Sequence, residues 1–169
     1  MIIVITDACF LIDLIDIGLF EEFLGLGYQV HITSSVFAEL EGDEYVKPVS
    51  ECIEQENMFL YNLTAADQTA LEKLMEKHPS RLSEPDCSCL YLAKEMKATI
   101  LTCEKLLTNV AKNLNLDVHG SLWILDQLLA ATMITEKIAH NKLKNLMSIN
   151  PRLPAKECQK RLKRWGRSK

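Results

Sequence analysis

The sequence predicts an α/β protein, a three-layer α/β/α sandwich around a central parallel sheet of four or five strands. Three observations carry this. The 169 residues are 48% hydrophobic and 25% charged with no low-complexity tract, which fits a single domain able to bury a core. Residues 2–6 (IIVIT) are apolar and mostly β-branched on both faces, the pattern of a central strand covered on each side. Short apolar runs then alternate with longer segments of helical period, and right-handed crossovers turn that alternation into a parallel sheet between helical layers.

After the first strand, CFLIDLIDIGLFEEFLGLGY repeats apolar residues at helical spacing with Gly18, Gly25 and Gly27 as punctuation, so one or two helices follow. A second strand is expected in YQVHIT, and SSVFAELEGDE predicts a short helix carrying Glu39 and ending near Gly42. Residues 46–63 read as a helix followed by a weak strand at Met58–Leu63. TAADQTALEKLMEKH is an amphipathic helix whose Thr64 and Asp67 form a capping-box pattern. Ser83 and Asp86 repeat that pattern ahead of the helix EPDCSCLYLAKEMK. ATILT is a buried strand, EKLLTNVAKNLN a helix, and LDVHG a short strand closed by Gly120; helices start at Ser121, Thr135 and about Pro154. Residues 1–150 are expected to form the domain, with 151–169 a basic C-terminal helix or tail packed on it or extending from it.

The net charge of −4 hides an asymmetry, because residues 151–169 contain eight Lys or Arg against the single acid Glu157. Such a segment suits a polyanion or an acidic partner, or else a solvated helix face. The six cysteines (Cys9, Cys52, Cys87, Cys89, Cys103, Cys158) form no C-x-x-C pair and no zinc spacing with His, so they read as reduced, mostly buried thiols. The first apolar run is broken by Asp7 and Asp13, too short to cross a bilayer, and lacks the basic region of a secretory leader. A cytoplasmic protein with no membrane partner is expected.

The chemistry points to acids. In an open α/β sheet, ligands bind beyond the carboxyl ends of the strands. Asp7 directly follows the first strand, Glu104 follows ATILT by two residues, Asp86 opens the helix leading into ATILT, and Glu39 follows the second strand. A carboxylate ending a buried strand has lost hydration and needs a donor or a metal. Clustered carboxylates repel one another unless a cation sits among them, and oxygen-only ligation selects Mg²⁺ or Mn²⁺. A phosphodiester is the natural substrate of such a site. Asp86 alone also reads as a simple helix cap, and Glu39 and Glu104 as exposed helix acids. There is no G-x-G-x-x-G or G-x-x-x-x-G-K-[ST], so nucleotide-binding readings lack support. The D-x-D of haloacid-dehalogenase-type phosphatases is missing, since Cys9 stands at its second acid.

In order and spacing, VITDACFLIDL, ITSSVFAEL and EPDCSCLYLAKEMKATILTCEKLLTNVAKNLNLDVHGSLWIL resemble the PIN-domain family, within it the small prokaryotic stand-alone members related to toxin–antitoxin ribonucleases. The resemblance implies a metal-dependent endoribonuclease holding Mg²⁺ or Mn²⁺, with Asp7, Glu39, Asp86 and Glu104 as catalytic acids and metal ligands, an antitoxin as partner, and a homodimer. Two departures stand out. The family often reads Thr and then Asp where this chain has Thr102, Cys103 and Glu104, and it commonly has Ser or Asn where Cys9 stands. These departures leave a second reading open: a catalytically weakened module that binds RNA or protein.

Thr102 is a candidate assisting hydroxyl, with a plain strand end as its alternative. His31, His78, His119 and His140 match no ligand spacing and are read as structural or surface residues. Lys160, Arg161, Lys163 and Arg164 with Trp165 read either as an RNA-facing stripe with a stacking ring, or as the outside of a helix docked through Leu153, Leu162 and Trp165. The apolar segment from Ser121 to Ile134 is either core or a subunit interface.

Overall fold

The computed structural model of the chain describes residues 2–77 and 82–166; His78 lies outside them. The elements run β1 (Ile3–Thr6), α1 (Ala8–Asp16), α2 (Phe20–Gly25), β2 (Gln29–Thr33), α3 (Ser34–Phe37), α4 (Asp43–Glu54), β3 (Met58–Tyr61), α5 (Ala65–Lys77), α6 (Glu84–Met96), β4 (Thr99–Leu101), α7 (Lys105–Asn113), β5 (Val118–His119), α8 (Ser121–Ala130), α9 (Glu136–Ile149) and α10 (Ala155–Trp165). All five strands are parallel and lie in the order β3-β2-β1-β4-β5. Val4 of β1 faces Val30 on one side and Thr99 on the other. The chain therefore builds outward from β1 to β3, then returns to β1's free side with β4. That reversal makes the carboxyl ends of β1 and β4 the natural crevice of the sheet.

The central strands β1, β2 and β4 are buried on both faces. Val4, Ile5, Val30, Ile32, Ile100 and Leu101 have no exposed surface. Helix α6 crosses β1, β2 and β4 and also meets α3, α5 and α7, burying Cys89, Leu90, Leu92 and Ala93. A separate run of contacts joins α1 to α2 and α8, α8 to α9, and α9 to α10. Phe10 and Phe23 meet edge to face at 5.5 Å there. Cys158 and Trp165 of α10 belong to the same hydrophobic cluster as β1. The face of α8 bearing Leu122, Ile124, Leu125 and Leu128 is buried within the chain. Cys87, Cys89 and Cys158 are buried, Cys9, Cys52 and Cys103 half-buried, and all six are free thiols.

One element differs from the sequence expectation. The helix after β2 lasts one turn, Ser34–Phe37, and Glu39 sits on the turn beyond it rather than on the helix. Thr33 caps that turn by accepting the Val36 N–H at 3.2 Å, and Glu39 N–H bonds back to the Val36 carbonyl at 3.1 Å. The weak strand near Met58 is the sheet edge, β3, and only Met58 of its four residues is buried. Among the described residues no helix is long and apolar enough to cross a membrane.

Candidate active site

Asp7 stands where β1 stops and α1 begins. Its N–H donates to the Leu101 carbonyl at 3.1 Å, which prolongs the β1–β4 pairing by one bond. Its side chain then caps α1, with Oδ1 accepting from the Phe10 N–H at 2.8 Å. Oδ2 accepts from the Thr102 hydroxyl and, at 3.3 Å, from the Cys9 thiol. The residue is 4% exposed. Burial raises the Asp7 carboxyl to about 6; hydrogen bonds from Thr102, Phe10 and Cys9 oppose the shift, and Asp86 adds a little repulsion.

The other acids arrive from separate elements. Asp86 is the third residue of α6, in a capping box: Ser83 N–H donates to Asp86 Oδ2 at 3.2 Å, and Asp86 N–H to Ser83 Oγ at 3.2 Å. Its Oδ1 has no hydrogen-bond partner among the described residues. Thr33 and Ser88 hydroxyls, 2.7 Å apart, tie the end of β2 to α6, and Ser35 Oγ donates to Glu84 Oε1 at 2.7 Å. These bonds hold the Glu39 turn beside the Asp86 turn. Partial burial first, then Asp86 and Glu84, raise the Glu39 carboxyl above its usual value.

Asp7, Glu39, Asp86 and Glu104 line one cleft of about 280 Å³ at the carboxyl end of the sheet, together with Cys9, Ser83 and Arg152. The four predicted acids are thus brought to one place. They are not drawn into a closed ligand shell: among the described residues no three His, Cys, Asp or Glu side chains form a ready metal-binding group. Glu104 is ion-paired with Arg152 at the rim. The donor set nonetheless fits a hard divalent cation. Every acidic donor is an oxygen, Asp86 lines the cleft with its Oδ1 unpartnered among the described residues, and the buried Asp7 carboxylate has no positive partner among them. Occupancy would require Glu104 to exchange Arg152 for the ion.

Cys9 keeps a hydrogen bond to Asp7, although a thiol is a weak donor. Its pKa is pushed up, first by the neighbouring Cys103 thiol, then by burial and Asp7, so it is a neutral donor. Cys103 is not among the residues lining the acid cleft. Its thiol lies 3.0 Å from Asp13 Oδ2 and 2.9 Å from Ser121 Oγ, which leaves Glu104 alone at the rim from that loop. Thr102 has two tasks, since its oxygen also accepts the Glu104 N–H at 2.9 Å.

Sequence reasoning missed a second tier. Asp13, 6% exposed, accepts from Ser121 Oγ at 3.1 Å and from Asn150 Nδ2 at 2.7 Å. Asn150 Oδ1 in turn accepts the Arg152 N–H at 2.9 Å. This chain of bonds fixes the Arg152 backbone, from which the guanidinium reaches Glu104. The one visible signal was Asp13, a carboxylate within an apolar helix; nothing near Arg152 in the sequence marks it.

The C-terminal stripe is corrected. Trp165 is 1% exposed, so its ring packs in the core and cannot stack on a base. Arg161 and Arg164 pair with Asp126 at 2.5 and 2.7 Å, and Lys160 with Glu157 at 2.6 Å, leaving Lys163 as the one stripe cation with no ion pair among the described residues. Helix α10 docks because its apolar face is needed inside. His31 is stacked on Phe59 and its pKa is lowered by burial, and His119 stacks on Trp123.

Comparison with known proteins agrees with this architecture. The chain is similar to a solved structure of VapBC2 from Rickettsia felis bound to a DNA fragment from their promoter, with a TM-score of 0.52 and 16% identity over 70% of this chain and 98% of that one. At that identity the likeness concerns the fold. No curated protein matches the chain. A sequence model of the family DUF3368, described as a PIN domain, matches residues 3–167, which takes in every element from β1 to α10. The chain belongs to the PIN-domain family.

Proposed function

We propose that the chain is a divalent-metal-dependent endoribonuclease that hydrolyses RNA phosphodiesters, and that it acts in the cytoplasm as the toxin of a toxin–antitoxin pair. The observation that carries the reading is the convergence of Asp7, Glu39, Asp86 and Glu104, from four separate elements, on one cleft at the topological switch of the sheet. The VapBC2 likeness motivates the partner, whose basic side chain would enter the acid cleft in place of a cation.

When bound, Mg²⁺ or Mn²⁺ would neutralise the nonbridging phosphate oxygens and lower the pKa of the attacking water. Asp7, Asp86 and Glu104 would hold it, and Glu39 would hold a water or a second ion. Thr102 and the Phe10 N–H fix the Asp7 carboxylate and oppose its protonation. Arg152 would then leave Glu104 and could pair with a substrate phosphate.

The test is a Mn²⁺ titration with single-stranded RNA, comparing the protein with Asp7→Asn and Asp86→Asn. Metal-dependent cleavage lost in both variants supports the enzyme. RNA binding without cleavage by any of the three proteins would establish the second reading, a binding module, which the Glu104–Arg152 ion pair favours. Sedimentation of the purified chain measures the proposed homodimer.

A further inference from the structure

A second cleft, of about 590 Å³, adjoins the acid cleft and shares Arg152 as a wall. It lies at the carboxyl ends of β4 and β5, and Lys105, Lys112, His119, Trp123 and Arg161 take part in its lining. Its chemistry is opposite to that of its neighbour. Lys105 and Lys112 are exposed and make no ion pair among the described residues. Arg161 is neutralised by Asp126 and Glu157, and Arg152 is paired with Glu104, so the two lysines supply the field. Helices α7 and α8 both begin at this cleft, and neither N-cap residue, Glu104 or Gly120, bonds the first turn through a side chain.

The aromatic groups are already arranged as a stack. His119 lies on Trp123 with ring centroids 4.2 Å apart and planes 8° from parallel, and Trp123 lies at 20° to Tyr28. Packing of this kind fixes the imidazole plane before any ligand arrives. The His119 side chain is still 31% exposed, while Asp117 Oδ1 lies 3.2 Å from Nε2. A flat, pre-oriented ring lining the same cleft as two lysines unpaired among the described residues is what a single-stranded nucleotide needs: a face for the base and cations for the phosphates.

We infer that this cleft is the nucleotide subsite beside the scissile phosphate, with the base of a single-stranded RNA stacked on His119 and its phosphates on Lys105, Lys112 and Arg152. The occupant's identity rests on the nuclease reading. Arg152 lines both clefts and marks the point where the strand passes from the basic cleft to the acidic one, its backbone held by the Asp13–Asn150 bonds.

Anisotropy of a short fluorescein-labelled single-stranded RNA, measured in EDTA so that no cleavage occurs, tests the inference. His119→Ala should weaken binding roughly tenfold, the scale of one lost base stack. Lys105→Ala with Lys112→Ala should reduce the slope of log K against log salt by about 1.4, two phosphate contacts at about 0.7 each. Lys163→Ala, on a helix face outside the cleft, should change neither. Both lysines are on the surface, so that double variant remains informative if His119→Ala folds poorly. Absence of binding by the wild type overturns the inference. So does binding that neither cleft variant weakens, including the case where only a protein partner's affinity falls. Failure of Mn²⁺-dependent cleavage with these binding effects intact would overturn the nuclease reading and leave the subsite standing.

Discussion

Helices α5 and α6 begin with the same device, a hydroxyl residue followed three positions later by aspartate, and the two aspartates end up with different jobs. At α5, Asp67 is saturated. Oδ2 accepts from the Thr64 N–H at 2.8 Å, the Thr64 hydroxyl at 2.7 Å and the Tyr61 hydroxyl at 3.2 Å, while Oδ1 accepts from the Tyr91 hydroxyl at 2.5 Å. Those donors, Tyr91 foremost and then Thr64, hold its carboxyl down to about 2. At α6, Asp86 lines the acid cleft and makes the cap with one oxygen, the other having no partner among the described residues. A capping acid with a spare oxygen in a cleft is a candidate ligand; one whose oxygens are all engaged is a strut.

The largest effect that would break this contrast is on cleavage. Asp86→Asn keeps an oxygen for the Ser83 N–H, so it should preserve the helix start, with a stability change within about 1 kcal/mol. It should nevertheless reduce Mn²⁺-dependent RNA cleavage by about 10²-fold or more, as should Asp7→Asn, in initial rates beside thermal melts. Asp67→Asn should do the reverse. Cleavage should stay within about twofold of wild type, while the melting temperature falls, because an amide cannot accept from all four donors. The stability that Asp67 contributes is present above its unfolded value near 3.9 and is lost as pH falls towards about 2. The Asn variant should therefore lose that part of the acid dependence in melts between these limits.

Asp7 sharpens the contrast with the opposite sign. Its folded pKa is raised, so its favourable balance is present below about 3.9 and lost as pH rises through about 6. At pH 8 without metal the ionised, buried group should cost on the order of 3 kcal/mol. Asp7→Asn should then melt higher than wild type in EDTA, by roughly 6–12 °C for a chain of this size. Added Mn²⁺ should stabilise the wild type and leave the variant unmoved. A variant that melts lower at pH 8 in EDTA would show that Asp7 is structural, like Asp67. The smallest effect is expected at Arg152→Ala. The Glu104 pair is half-exposed and contributes under about 1 kcal/mol to stability, but its removal frees Glu104 and should tighten Mn²⁺ binding a few-fold in calorimetry.

Most of the fold was legible because its signals are local. IIVIT, VHIT and TIL mark buried parallel strands, and Ser83 and Thr135 mark helix starts that the structure keeps. The helix after β2 was overestimated, because SSVFAEL carries helical spacing but the chain turns at Ala38–Glu39 to reach α4. Of the site, the acids were legible as residue types at strand ends. Arg152 was not, since its place depends on Asn150 reaching Asp13. Trp165 shows the limit from the other side: a tryptophan among lysines and arginines reads equally as a stacking platform or an anchor, and only packing separates the two.

What the sequence determined by itself was the alternation of buried strands and amphipathic helices, with an acid placed at the end of the central strand, because backbone propensity, capping and hydrophobic period act over a few residues. What the tertiary structure decided was which oxygens remain unspent, which cations are already paired, and that an acidic cleft and a basic, aromatic one lie side by side across Arg152. Those properties depend on neighbours distant in the chain, and burial and hydrogen bonding assign them only once the sheet order has closed.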